Sequence, residues 1–223
     1  MPRNIVLVGL YRSGSSFWAE MLHHLGVNMG APYWETDEEN HPNNHYEPAD
    51  LSVDLRRMWN EPQGTSHWGS DERQGVMRRW LGQQRRKAGP DAVLGAKHPL
   101  FCLMMADVYA AFDMPVVLRC SRPLPDSMRS IARTTFPWSK VEMYEIQLKL
   151  WGAAEQWFAY SPPHITLNAN EWKKHCTPNG QGWRARLVED LCMQCNLHPT
   201  QEQFEKAMNC FRTGPTGFGG AIL

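Results

Sequence analysis

Short apolar runs alternate along this chain with longer amphipathic stretches. Ile5-Val6-Leu7-Val8 is unbroken, rich in β-branched residues and too short for a helix, so it predicts a strand buried on both faces. Ala92–Ala96, Pro115–Cys120 and His164–Asn168 predict three more strands. Between them the period changes. Trp18, Met21, Leu22 and Leu25 fall at i, i+3, i+4 and i+7, which predicts an amphipathic helix closed by Gly26. Helices are also expected over 50–60, 71–88, about 100–112, a stretch ending near Arg133, 139–159, 182–195 and 200–212. Pro99 suits the first turn of the third of these. In 139–159, Val141, Tyr144, Leu148, Trp151 and Phe158 share one face, expected to be core. Residues 27–49 are broken by Gly30, Pro32, Pro42, Asn43-Asn44 and Pro48 and predict an irregular segment. Strands alternating with helices predict a three-layer α/β/α fold around a central parallel sheet. Ligands of such sheets sit beyond the carboxyl ends of the strands.

Composition narrows the class. A length of 223 residues with 42% hydrophobic and 21% charged positions suits one globular domain, taken here as 1–223. Lys+Arg and Asp+Glu balance at 23 each, so nothing points to nucleic acid or an anionic membrane. Cations are local (Arg56-Arg57, Arg78-Arg79, Arg85-Arg86-Lys87) and read as solvated helix faces. No apolar stretch reaches the ~20 residues of a membrane span. Met1-Pro2-Arg3-Asn4 leaves no room for an export signal before the first strand, so a cytoplasmic protein is expected. The six cysteines are then expected as free thiols, and Cys192-Met193-Gln194-Cys195 as part of a helix, not a zinc site. No His, Cys or Asp cluster has ligand spacing, so no metal is expected.

Candidate chemistry gathers at strand ends. Tyr11-Arg12-Ser13-Gly14-Ser15-Ser16 is a loop of small residues around one cation, between the first strand and the first helix. Backbone N–H groups and the positive end of the helix dipole converge there on one spot, which predicts a bound anion, most plausibly a phosphate. Lys97-His98 ends the second strand and Arg122 follows the third. The loop is not the GxxxxGK[ST] of nucleoside triphosphatases.

That loop instead resembles the 5′-phosphosulfate loop of sulfotransferases that use 3′-phosphoadenosine 5′-phosphosulfate (PAPS). In Arg122-Pro123-Leu124-Pro125-Asp126-Ser127-Met128-Arg129-Ser130, an arginine at a strand end precedes a serine by eight residues, similar to that family's 3′-phosphate segment. Asn44-His45-Tyr46-Glu47 is similar to the Gly-aromatic-Glu segment of many bacterial members. Gly95-Ala96-Lys97-His98-Pro99 is similar to their Lys-x-Pro strand end and to the Lys-x-His of cytosolic animal enzymes. The likeness spans about residues 4–205. The family's C-terminal Gly-x-x-Gly-x-x-Lys is missing, since Gly214-Pro215-Thr216-Gly217 brings no lysine.

The resemblance implies a P-loop-like sulfotransferase fold, PAPS as co-substrate without a metal, and sulfuryl transfer to a hydroxyl or amine of a glycan, lipid or small metabolite. Arg12 and the N–H groups of Ser13, Gly14, Ser15 and Ser16 would hold the 5′-phosphate, and Arg122 with Ser130 the 3′-phosphate. Lys97 would face the oxygens of the transferred group. The base is expected first in His98, at a strand tip and titrating near neutrality, then in Glu47, then in Glu35. Among ten tryptophans, Trp18, Trp34, Trp59, Trp68 and Trp80 cluster in the first half. Most are expected in the core, with Trp34 and Trp68 in loops near the acceptor. Two other readings stand beside this one: a P-loop small-molecule kinase, which would need a loop lysine and a magnesium-binding acid, and a non-catalytic nucleotide binder on the same fold.

Overall fold

Alternate residues of the first strand, β1 (Ile5–Gly9), enter two different cores: Val6 and Val8 one, Ile5 and Leu7 the other. A strand flanked by apolar layers on both sides has no polar face to show, which is why its sequence reads as a solid apolar run. The computed structural model describes residues 4–33, 46–60, 65–134, 136–160, 163–169 and 181–211. After β1 come α1 (Ser15–His24), α2 (Ala49–Met58), β2 (Trp59–Asn60), β3 (Thr65–Ser66), α3 (Ser70–Ala88) and β4 (Gly95–Lys97). A 3-10 helix (Pro99–Leu103), α4 (Met105–Ala111), β5 (Val116–Ser121), α5 (Leu124–Ala132), α6 (Lys140–Tyr160), β6 (Ile165–Asn168), α7 (Gln181–Cys195) and α8 (Gln201–Met208) follow.

The main sheet is parallel, in the order β4-β1-β5-β6. Helices α2 to α6 cover one face and α1, α7 and α8 the other, giving the three-layer α/β/α architecture the alternation predicts. From β1 the chain crosses to β4 on one side, and from β4 it returns to β5 on the other. The order therefore reverses beside β1, and the crevice beyond its carboxyl end is the switch point where such sheets bind ligands. No described helix is long and apolar enough to cross a membrane.

Three local expectations are corrected. The helix predicted from residue 100 opens as a 3-10 turn, because His98 caps it through Leu100 N–H, and α-helix resumes only at Met105. The helix expected over 50–60 ends at Met58, where the chain turns extended and pairs with Thr65–Ser66 in a small antiparallel ribbon. The third concerns α6. Val141, Leu148 and Trp151 stand outside, at 66%, 50% and 42% exposure, and the inward face is Met143, Ile146, Gln147, Leu150, Ala154 and Phe158. Apolar residues occur all around this helix, so period alone does not select a face. Gln147, fully buried, donates from Nε2 to Tyr11 O at 2.9 Å, and that bond fixes which side turns in.

Trp18 lies in the core on the α1 side of the sheet and Trp80 in the core on the other, and Trp59 and Trp68 are half-buried against the core that holds Trp80. Cys102, Cys120, Cys192, Cys195 and Cys210 are buried free thiols.

Candidate functional site

The turn after β1 is built by two residues with positive φ, Arg12 at 61° and Gly14 at 86°. A left-handed arginine is strained, and strain of this kind persists where surrounding bonds hold it. Two bonds hold this one from outside the loop: Gln147 on Tyr11 O, and Arg122 Nη1 donating to Arg12 O at 2.7 Å. Close approach also dictates Gly9. A Cβ there would lie 2.6 Å from Ser13 Oγ and 2.9 Å from the carbonyl of Cys120. Helix α1 starts immediately after, with no side chain capping its first turn. Its N-terminal N–H groups, from Gly14 to Ser16, therefore face the crevice, while the Ser13 N–H donates to Leu10 O at 3.1 Å within the turn.

The second cationic segment meets the first. Arg12 Nε donates to Ser130 Oγ at 3.0 Å, across 118 residues of sequence. Burial and then Arg122 pull the Arg12 guanidinium below its ordinary value, and burial does the same to Arg122. Both remain cations at neutral pH, so these shifts mark two positive charges gathered in a poorly solvated place that suits an anion. Arg122 Nε and Ser13 Oγ are buried without a hydrogen-bond partner among the described residues. Buried donors of this kind are normally satisfied, and phosphate oxygens would satisfy them.

A third group closes the crevice from β4. Lys97 Nζ donates to Glu47 Oε1 at 2.7 Å and to Ser16 Oγ at 3.3 Å, which ties β4, the segment before α2 and the start of α1 into one cluster. Both partners are buried, Lys97 at 4% and Glu47 at 7% exposure. His98 Nε2 stands 3.9 Å from Glu47 Oε2, beyond hydrogen-bond reach. His98 Nδ1 accepts the Leu100 N–H at 3.1 Å, so the ring proton of the neutral form sits on Nε2. At 1% exposure, burial pushes this histidine down to about 4, with Glu47 opposing and Arg56 and Lys97 assisting.

The predicted residues Arg12, Ser13, Gly14, Ser15, Ser16, Glu47, Lys97, His98, Arg122 and Ser130 thus all lie at or beside the carboxyl ends of β1, β4 and β5. Glu35, His45, Trp34 and the glycines of the tail lie outside the described residues. Sequence reading missed Arg56. The Arg56-Arg57 pair reads as a solvated face, yet the Arg56 Nε is buried and its charge acts on His98. Ser52, four residues earlier on the same side of α2, is fully buried, which only the structure reveals. Two recesses flank the cluster. One is lined by Gly9, Leu10, Ser121, Arg122, Trp151 and Glu155. The other, about 260 Å³, lies beyond Ser130 between Arg133, Phe136, Trp138 and Lys140.

No family model matches the chain, and no curated protein matches it. Among solved structures it is similar to the crystal structure of sulfotransferase STF1 from Mycobacterium tuberculosis H37Rv. That match has a TM-score of 0.49 and 14% identity over 98% of this chain and 74% of that one. It is also similar to the sulfotransferase domain from the curacin biosynthetic pathway, with a TM-score of 0.46 and 15% identity over 99% of this chain and 81% of that one.

Proposed function

We propose that this chain is a sulfotransferase that takes the sulfuryl group of PAPS to a hydroxyl or amine of a small-molecule or glycan acceptor. One observation carries the reading. The two segments that sequence assigns to different phosphates are joined by the Arg12–Ser130 hydrogen bond and the Arg122–Arg12 carbonyl bond. A ligand with phosphates at two ends matches two cationic segments set side by side.

In this reading the 5′-phosphate accepts hydrogen bonds from the loop N–H groups and Arg12, and the 3′-phosphate from Arg122 and Ser130. The reaction breaks the bond between sulfur and the phosphate oxygen while the acceptor attacks sulfur in line. The chain contributes chiefly position and charge. Lys97, beside Ser16 at the loop, supplies the cation for the oxygens of the moving group. Glu47 takes the acceptor's proton. It replaces His98 as our first choice because the His98 lone pair at Nδ1 already accepts Leu100 N–H, and because its burial favours the neutral ring. His98 is then a positioning residue that packs behind the Glu47 carboxylate and caps the turn after β4.

The test is turnover of PAPS with a panel of glycans, phenols, lipids and amines, with calorimetry of adenosine 3′,5′-bisphosphate alongside. Glu47→Gln should lower kcat by about 10²–10⁴-fold with nucleotide affinity unchanged, the range for a general base. His98→Asn should retain most of the turnover. Wild-type turnover in Glu47→Gln would move the base elsewhere. Absence of bisphosphate binding in the wild-type chain would end the reading. Tighter binding of ATP–magnesium would favour the small-molecule kinase, and binding without any transfer a non-catalytic nucleotide binder.

A further inference from the structure

The opposite end of α1 gathers a second set of reactive groups. Glu20 and His24 are four residues apart and share one face of the helix. That face meets Cys210, in the turn after α8. A carboxylate oxygen of Glu20, a ring nitrogen of His24 and the sulfur of Cys210 all lie within 4.8 Å of one another. Glu20 and Cys210 are buried, at 8% and 7% exposure, among the apolar residues of the α1 face of the sheet. The His24 side chain, 28% exposed, leaves a way in from solvent. Chain spacing conceals the grouping, since Glu20 and His24 read as an ordinary helix pair and Cys210 comes from the other end of the sequence.

His24 Nε2 is 4.0 Å from Glu20 Oε1, and Cys210 Sγ lies 3.7 Å from Lys206 O. Ligand atoms around a tetrahedral zinc stand about 3.3–3.8 Å apart, given bonds of 2.0–2.3 Å. From separations of at most 4.8 Å, the three groups close by no more than about 1.5 Å around an ion of that size. The donor set selects the ion. One thiolate, one imidazole and one carboxylate suit zinc, whereas magnesium and calcium take oxygen ligands. We infer that Glu20, His24 and Cys210 form a zinc-binding site that clamps the end of α8 to α1. This site shares no residue with the anion crevice, so it stands or falls independently of the proposed activity.

The full chain, stripped with a chelator, is titrated with cobalt(II) as a spectroscopic probe and, separately, with zinc. One equivalent of cobalt should give a thiolate-to-metal charge-transfer band in the near ultraviolet. Zinc in large excess over its dissociation constant should raise the unfolding midpoint by about 5 °C or more. Cys210→Ser should remove both signals. His24→Gln and Glu20→Gln should each weaken cobalt binding at least about tenfold. All variants are first compared with the wild type in chelator, and one that does not fold is set aside in favour of the other two. No charge-transfer band in the wild type would overturn the inference. So would a band that survives Cys210→Ser, or one lost in Cys192→Ser and kept in Cys210→Ser. Unchanged cobalt affinity in both His24→Gln and Glu20→Gln would overturn it as well.

Discussion

Replacing His98 by asparagine should flatten part of the acid dependence of stability. The folded protein holds this ring down to about 4, against an ordinary 6.5, with burial as the main cause. Between those two values the unfolded chain carries a proton that the folded chain refuses. Stability must then rise with pH through this window: the contribution is complete above 6.5 and is lost progressively as pH falls. Over the whole window the effect is roughly 3 kcal/mol, and between pH 7 and pH 5 alone it is about 2 kcal/mol. The narrower interval is the better one to measure, because most carboxylates stay ionised across it. Asparagine suits the test because its side-chain oxygen can still accept Leu100 N–H at the cap of the 3-10 turn. The lost ring leaves a packing defect of about 1–3 kcal/mol, but that cost is the same at both pH values and cancels. Urea unfolding of both proteins at pH 7 and pH 5 gives four stabilities. The wild type should lose about 2 kcal/mol more than the variant on acidification. Equal losses would show that the folded ring titrates like a free one. The buried, capped geometry would then be wrong, and with it the demotion of His98 as base.

Other outcomes follow from the same cluster. Arg122→Ala should weaken adenosine 3′,5′-bisphosphate at least about 30-fold by calorimetry, from the loss of charge-assisted hydrogen bonds and of the brace on Arg12 O. Unchanged affinity would remove the 3′-phosphate assignment. Gly9→Ala should cost about 1–3 kcal/mol, read as a fall of several degrees in Tm, because its Cβ has nowhere to go between Ser13 and the Cys120 carbonyl. An unaltered Tm would show that the loop yields freely.

The sheet and most of the crevice were legible in the sequence, for a physical reason in each case. Strands buried on both faces must be apolar throughout, so Ile5–Val8 and Val116–Leu118 announce themselves. A loop that turns between strand and helix needs small residues, so Ser13-Gly14-Ser15-Ser16 does too. What failed to show was set by tertiary contacts. The inward face of α6 is chosen by Gln147 reaching Tyr11, and a glutamine gives no hint of a buried anchor. His98 looks like a neutral-pH base on paper because its ordinary titration range is near 7. Only the Leu100 cap and its complete burial change that. Arg56 hides in a pair of arginines of which one is exposed and the other turns inward. The grouping of Glu20, His24 and Cys210 is invisible to any local spacing rule.

The position of β1 in the sheet has a consequence for how the protein is made. Its four apolar residues are synthesised well before their partners, for they pair with β4 and β5 on either side, and β5 begins about 110 residues later. At ~5–20 residues per second, the strand waits roughly 6–22 s for its last neighbour. Until β4 and then β5 are made it is a sticky segment with an open edge, the kind of surface chaperones shield. The loop that follows it takes its binding shape only once Arg122 and Gln147 have arrived. The cradle is therefore a late product of assembly, although its own residues are synthesised before those that brace it.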